Sequence, residues 1–324
     1  MIITRTPLRI SIGGGGTDLP AYYERFGSFF VSAAINKYIY IAFHKTFQKG
    51  FFLKYSQFEM VDAASEIRHP IMREAFQLHQ MDPSLEMMSM ADIPAGTGLG
   101  SSGAFSVGLL KTIYAYKREH VSPGALAEEA CHIEINLLKE PVGKQDQYIA
   151  AHGGISCFEI NQKGDVTVSP LRISNPTLHD LEDNLMMFFT GFSRSASQVL
   201  DQQKKGIQQD DKRFVDNLHF IKSTGVEIKK VLESGDCLQF GKLMHEHWLH
   251  KNKQSSAISN TKINDWYEHG IRNGAVGGKL IGAGGGGFLM FYADDRIKLR
   301  AAMEKAGLQE VRFSFDFEGS KQLV

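Results

Sequence analysis

Cysteine is scarce: Cys131, Cys157 and Cys237 are odd in number and widely spaced in a chain of 324 residues. That excludes a disulfide framework and the paired pattern of a zinc site, and it points to reduced thiols in a cytoplasmic protein. An excess of charge of either sign is also missing. Lys and Arg number 36 and Asp and Glu 36, a formal net charge of zero. No whole-molecule field then draws in nucleic acid or an anionic membrane, so an anionic ligand needs a local site. No run is apolar enough to span a bilayer, because the most apolar early stretch, Ser28 to Phe43, is broken by Asn36 and Lys37. The opening MIITRTPLRISI alternates like a strand and lacks a signal-peptide core. Fixed-period repeats and low-complexity linkers are absent too.

What is abundant is glycine, 32 residues gathered in clusters. The clusters interrupt a mixed pattern of elements. Ile2 to Ile12, Tyr38 to Lys45 and Leu85 to Met90 have strand character. Ala104 to Tyr116 is predicted as a buried helix. A further helix opens at Ser122-Pro123 and runs to about Lys139. Ile155 to Ile160 and Val166 to Leu171 suggest a hairpin around Lys163-Gly164-Asp165, with a break near Ser174 to Thr177. The second half starts with a strand, Leu185 to Thr190, followed by helical stretches at Ser195 to Gln203, Arg213 to Ser234, Cys237 to Lys251 and Lys262 to Asn273. An apolar strand, Phe288 to Tyr292, comes later. Strands then helices in each half predict two α+β domains, residues 1–175 and 176–324.

Pro94 to Gly103, PAGTGLGSSG, lies between a predicted strand and a predicted helix. Glycines let backbone N–H groups approach an anion, and a helix N-terminus adds its positive end. Ser101 and Ser102 offer hydroxyls to phosphate oxygens or to a metal. Gly98, Gly100 and Gly103 also satisfy G-x-G-x-x-G. A dinucleotide fold would need an acid after a second strand about 20 residues on, whereas Glu119 sits in the polar run Lys117 to His120. A Walker loop would need Gly-Lys-Ser/Thr, which does not follow. A tight structural turn is the plain alternative.

Glu134 falls on the apolar stripe of the second predicted helix, with Leu126, Ala130, Leu137 and Leu138. A carboxylate there must be paired or hold a cation, so a Mg²⁺ ligand and a structural ion pair both stand. Beyond the helix, Lys144 and Asp146 are candidates for electrostatic and acid–base work, or parts of an ordinary polar loop. Gly13 to Gly16, followed by Thr17 and Asp18, and Gly284 to Gly287 each abut an apolar strand. Four glycines in a row force a bend or a close approach to a ligand, and Asp18 suits a hydroxyl of a polyol. HEHWLH, His245 to His250, is not H-E-x-x-H and is expected to be a polar helix.

PAGTGLGSSGAFSVGLL is similar to the nucleotide-phosphate loop of the GHMP kinases, which include galactokinase, homoserine kinase and mevalonate kinase. GGKLIGAGGGGFLMFY is similar to their third motif, and TRTPLRISIGGGGTD stands where the first stands. The resemblance runs from about residue 4 to 292. It departs from galactokinase and mevalonate kinase at Gly14-Gly15-Gly16, where those have Gly-Glu-His. GGGGTDLPAYY, GKQDQY and TGFSRSAS are more similar to a branch that phosphorylates the anomeric hydroxyl of a heptose 7-phosphate.

The resemblance implies a two-domain GHMP kinase fold, with a ribosomal S5 domain 2-like first domain and a ferredoxin-like second. It implies ATP and Mg²⁺, and a phosphosugar as small-molecule partner; a homodimer is compatible with it. Pro94, Gly96, Gly98, Leu99, Gly100, Ser101 and Ser102 would hold ATP, and Ser102 and Glu134 the metal. Asp146 would be the catalytic acid–base group, assisted by Arg9 and Lys144. Gly14, Gly15, Gly16, Thr17, Asp18, Gly284, Gly285 and Gly286 would meet the substrate, with Arg194 or Lys279 on its phosphate. A kinase for fucose or an N-acetylhexosamine is the rival enzyme. A non-catalytic nucleotide-binding regulator is the rival class, opposed by retention of Arg9, Glu134 and Asp146.

Overall fold

In the computed structural model the alternating N-terminal segment becomes strand β1, Ile2–Gly13. Residues 1–192, 200–201, 204, 206–207, 209, 211–254, 260–282 and 284–324 are described. Alternation predicts one wet face, yet Thr6 to Gly13 is wholly buried, because helices from both halves of the chain pack on it. β1 pairs antiparallel with β2, Ser28–Lys45, a strand that begins well before the expected Tyr38. Its 18 residues let it take two partners on its other side. β5 (Ser84–Ala91) pairs with Ile39 to Lys45, and β6 (Ile155–Ile160) with Ser28 to Ala33. β7 (Val166–Pro170) closes the expected hairpin on β6, and β3 (Gly50–Lys54) and β4 (Phe58–Val61) extend the sheet beyond β5.

Two short helices, α1 (Pro20–Phe26) and α2 (Pro70–Leu78), each start on a proline, which suits the first helical turn. α3 (Ser101–Lys117) lies on β1 and β2 and is buried throughout Gly103 to Leu110, as its apolar composition predicts. α4 (Pro123–Cys131) is capped by Ser122, whose hydroxyl accepts from the Ala125 N–H at 3.3 Å.

The expected helix runs on to Leu137, but not as α-helix throughout. The α ladder stops at Cys131, and His132–Leu137 is a π-helical turn. There the Leu138 N–H donates to the Ile133 carbonyl, five residues back, at 2.9 Å. The wider turn shifts the apolar stripe: Leu126, Ala130 and Glu134 remain buried, while Leu137 is exposed. The chain then leaves through Lys139 at φ 58° and starts α5 (Gln145–His152) where a loop was expected.

α6 (Asn175–Asn184), capped by Ser174, occupies the expected break. The second sheet is antiparallel, in the order β11 (Gln309–Glu310), β8 (Leu185–Phe189), β10 (Phe288–Ala293), β9 (Ala275–Leu280). α7 (Lys212–Glu233), α8 (Cys237–Gln254), α9 (Thr261–Arg272) and α10 (Arg296–Lys305) complete this half. The expected Ser195 to Gln203 helix lies largely outside the described residues.

The halves interpenetrate. α7 crosses onto the first sheet so closely that a Cβ on Gly225 would lie 2.9 Å from the Gly14 Cα. The last strand, β12 (Lys321–Gln322), pairs with β1, so the tail joins the first sheet although 176–324 was expected to form one unit. A single buried cluster links Leu8 and Ile10 to Ile228, Phe240 and Met290. The class is α+β, as expected, and all three cysteines are free and buried. Among the described residues no helix is long and apolar enough to cross a membrane.

Candidate active site

A cleft of about 720 Å³ is lined from both halves of the chain. One wall is the glycine loop before α3. Gly96, Gly98 and Gly100 have φ of 77°, 85° and 75°, a region glycine enters without penalty. The loop delivers Ser101 and Ser102 to the cleft at the first turn of α3, where helical N–H groups lack intrahelical acceptors. The Ser101 hydroxyl is buried without a partner. Pro94 and Leu99, expected on ATP, do not line the cleft. Leu99 is fully buried, and the Pro94 carbonyl accepts from the Thr97 hydroxyl at 3.0 Å.

Arg9, on β1, donates from Nε to Asp146 Oδ1 at 2.7 Å and from Nη1 to the Gly98 carbonyl at 2.5 Å. Asp146 stands at the start of α5, packed so tightly on the loop that a Cβ on Gly103 would lie 2.6 Å from its own Cβ. Nearby, Glu134 is 1 % exposed. Ser102 donates to its Oε2 and Gln147 to its Oε1, the latter at 2.9 Å. Among the described residues no Lys or Arg pairs with it, so the ion-pair alternative finds no partner. Burial pushes its carboxyl up, against those two donors. A buried carboxylate without a paired cation, facing the Ser102 hydroxyl, fits a hard divalent ion that takes few protein ligands and completes its shell on phosphates.

The first glycine run divides by function. Gly15, Gly16 and Asp18 line the cleft. Asp18 accepts from the N–H groups of Gly16 and Gln145, each at 3.0 Å, and burial raises its carboxyl above the ordinary range. Gly14 and Thr17 do not reach it. A Cβ on Gly14 would lie 2.3 Å from the Phe29 carbonyl, and the Thr17 hydroxyl meets Ser28 and the Gly14 carbonyl. Their expected contact with substrate gives way to packing.

The third motif also has a structural task. A Cβ on Gly282 would lie 2.7 Å from the Gly98 Cα, and one on Gly287 2.1 Å from the Thr97 carbonyl. The two glycine loops are therefore in backbone contact. Gly284, Gly285 and Gly286 were expected on substrate but do not line the cleft, and Gly286 packs against Phe192.

Lys144 is a second correction. Its ammonium donates to both Glu128 oxygens, at 2.7 and 3.0 Å, and to the Gly164 carbonyl at 2.8 Å, away from the cleft. Besides Arg9 and His69, the basic side chains of the cleft come from the second half of the chain. Lys279 is there as expected, joined by Lys251 and His247. His247 lies within HEHWLH, where a polar helix is expected, and Lys251 just beyond it; four residues apart, they share one face of the helix. Arg194 lies outside the described residues. The other end of the cleft is apolar and aromatic, with Tyr55, His69, Ile93 and Phe105, none of which the sequence patterns singled out. The His69 and Phe105 rings lie 4.9 Å apart.

A helix N-terminus with unmet donors, a buried carboxylate facing a hydroxyl, and an Arg–Asp pair define the cleft of a phosphotransferase. Residues 47–154 match the GHMP kinases N terminal domain and residues 228–309 the GHMP kinases C terminal domain. The chain is 30% identical, over 99% of its length and 98% of the other, to D-glycero-alpha-D-manno-heptose 7-phosphate kinase of Campylobacter jejuni. It is 25% identical, over 90% of its length but 34% of the other, to L-fucokinase/L-fucose-1-P guanylyltransferase of Bacteroides fragilis. Its fold matches a D-glycero-D-manno-heptose 1-phosphate kinase from Bacteroides thetaiotaomicron with a TM-score of 0.82, at 24% identity, covering 100% of this chain and 99% of that one. The chain belongs to the GHMP kinase family, and it is an ATP-dependent kinase.

Proposed function

We propose that the protein phosphorylates the anomeric C1 hydroxyl of D-glycero-D-manno-heptose 7-phosphate, giving the 1,7-bisphosphate used to make nucleotide-activated heptose. The observation that carries this reading is the full-length likeness to the Campylobacter jejuni enzyme. The cleft supports it chemically. Gly96, Gly98, Gly100, Ser101 and Ser102 present N–H and hydroxyl donors to the ATP phosphates, and the aromatic end around Tyr55, His69 and Phe105 takes the base. Ser102 and Glu134 would hold Mg²⁺, which when bound offsets the negative charge of the phosphates.

Asp146 takes the proton of the C1 hydroxyl as its oxygen bonds to the γ-phosphorus and the bond to the ADP oxygen breaks. Arg9 fixes Asp146 through its Nε and the glycine loop through its Nη1, so base and loop are held by one side chain. Asp18, braced by two backbone N–H groups, orients sugar hydroxyls. A coupled ADP-release assay with Mg-ATP tests this on heptose 7-phosphate, mannose 6-phosphate, fucose, galactose, N-acetylgalactosamine, mevalonate and homoserine. Selective turnover of the heptose is expected. Turnover of fucose alone would instead favour the second reading, for which the Bacteroides fragilis likeness speaks.

A further inference from the structure

Lys251, Lys279 and His247 converge on the cleft without an anion among them. The Lys279 ammonium donates to the Ile12 carbonyl at 2.9 Å, and that of Lys251 to the Gly282 carbonyl at 2.7 Å. His247 is 3% exposed, and neither ring nitrogen has a partner. The charged and titratable groups that face the three are Arg9, Asp18 and His250. Arg9 is engaged with Asp146, and Asp18 already accepts two backbone N–H groups. No carboxylate among the described residues pairs with either lysine.

The buried Lys279 ammonium beside the half-buried Lys251, with an imidazole whose two nitrogens are unmet, is unfavourable alone. Burial, with nearby cations adding to it, brings Lys251 down to about 8 and holds Lys279 well below the usual lysine range. An anion with several acceptor oxygens relieves all three at once. The donors sit on two regular elements, His247 and Lys251 one turn apart on α8 and Lys279 on β9, which is the rigidity a binding site needs. The nucleotide phosphates already have the Gly96 to Ser102 loop and the start of α3.

We propose that Lys251, Lys279 and His247 form a second anion site in the cleft, built from donors other than those of the glycine loop and bordering it at Gly282, that takes the phosphate monoester of a phosphorylated acceptor. The assignment of that anion to an acceptor rests on the phosphosugar of the proposed function; the anion site itself does not.

The test is calorimetric titration of the full chain with its nucleotide side filled by a non-hydrolysable ATP analogue and Mg²⁺. Inorganic phosphate, mannose 6-phosphate and mannose are titrated separately. Phosphate and mannose 6-phosphate should bind the native protein, and K251M or K279M should weaken both by about tenfold or more. Mannose should bind all variants alike, and K251R should restore most of the loss. Unchanged affinity for the ATP analogue shows that each variant is folded. The proposal is overturned if the native protein binds no phosphate, or if both Met variants bind it normally. It is also overturned if they weaken the ATP analogue instead, which would assign the lysines to the nucleotide. The inorganic phosphate arm needs no turnover. A protein that binds phosphate here yet phosphorylates no sugar would sink the proposed function and leave the site standing.

Discussion

Arg9 bridges Asp146 and the Gly98 carbonyl, at 2.7 and 2.5 Å, from a strand more than 80 residues away from either. The Asp146 carboxylate and the glycine loop before α3 are set by one guanidinium. Removing the carboxylate charge should therefore hurt chemistry more than nucleotide binding. Asp146→Asn is expected to lower kcat by about 10² to 10⁴ while the KM for ATP stays within a few-fold. Steady-state kinetics check it, and an equal rise in the ATP KM would assign Asp146 to binding.

Gly98 and Gly282 are in backbone contact at positive φ. Gly282→Ala places a methyl 2.7 Å from the Gly98 Cα, so about 1–3 kcal/mol of stability should be lost. The ATP KM should rise as the loop is displaced. Gly124→Ala is the matched control, since nothing lies within 4 Å of its Cβ position on α4. It should be neutral or stabilising by up to ~1 kcal/mol. Thermal melts separate the two.

Lys251, at about 8 in the fold, lies below its ordinary 10.5 because of burial first and Arg9 second, with Asp18 opposing. Between those values the unfolded chain holds a proton that the folded one lacks, so stability rises with pH across that window and is lost as pH falls through 8. Lys279 acts in the same sense. Urea melts from pH 7 to 10 should show a steeper rise for the native protein than for Lys251→Met. Parallel curves would mean that the Lys251 ammonium is not desolvated in the fold. Phosphate binding should weaken above pH 8, as the ammonium loses its proton.

Lys144 holds the start of α5, and with it Asp146, through Glu128 and the Gly164 carbonyl. It is a positioning residue. Lys144→Met should lower kcat by roughly tenfold through misplacement of the base, with little change in either KM. Lys144→Arg should recover part of the loss, because it keeps the charge facing Glu128. Raised KM values without loss of kcat would contradict the role.

The glycine turn into α3 was legible in the sequence because its physics is local: glycines, then serines, then an apolar helix within about 20 residues. Glu134 was legible as an odd charge on an apolar stripe, although the π turn that places it leaves no mark in the pattern. Gly14, Thr17 and Gly284 to Gly286 stand outside the lining of the cleft for a reason the sequence does not carry. Glycine runs announce a close approach but not its partner, and here Gly14 meets Phe29, Thr17 meets Ser28 and Gly286 meets Phe192. Lys144 looked catalytic from its neighbour Asp146, yet at the start of a helix adjacent side chains point to different faces. His247 and Lys251 were hidden in a histidine-rich helix that only the tertiary fold turns toward the cleft. The tail strand joining the first sheet is likewise a long-range pairing that two residues cannot signal.

The most direct measurement is phosphorus NMR of the product formed from Mg-ATP and D-glycero-D-manno-heptose 7-phosphate. The account predicts ADP and a single new phosphate monoester coupled to the anomeric proton, both abolished or nearly so in Asp146→Asn. A new phosphate on another hydroxyl, or ADP with no bisphosphate, would contradict it.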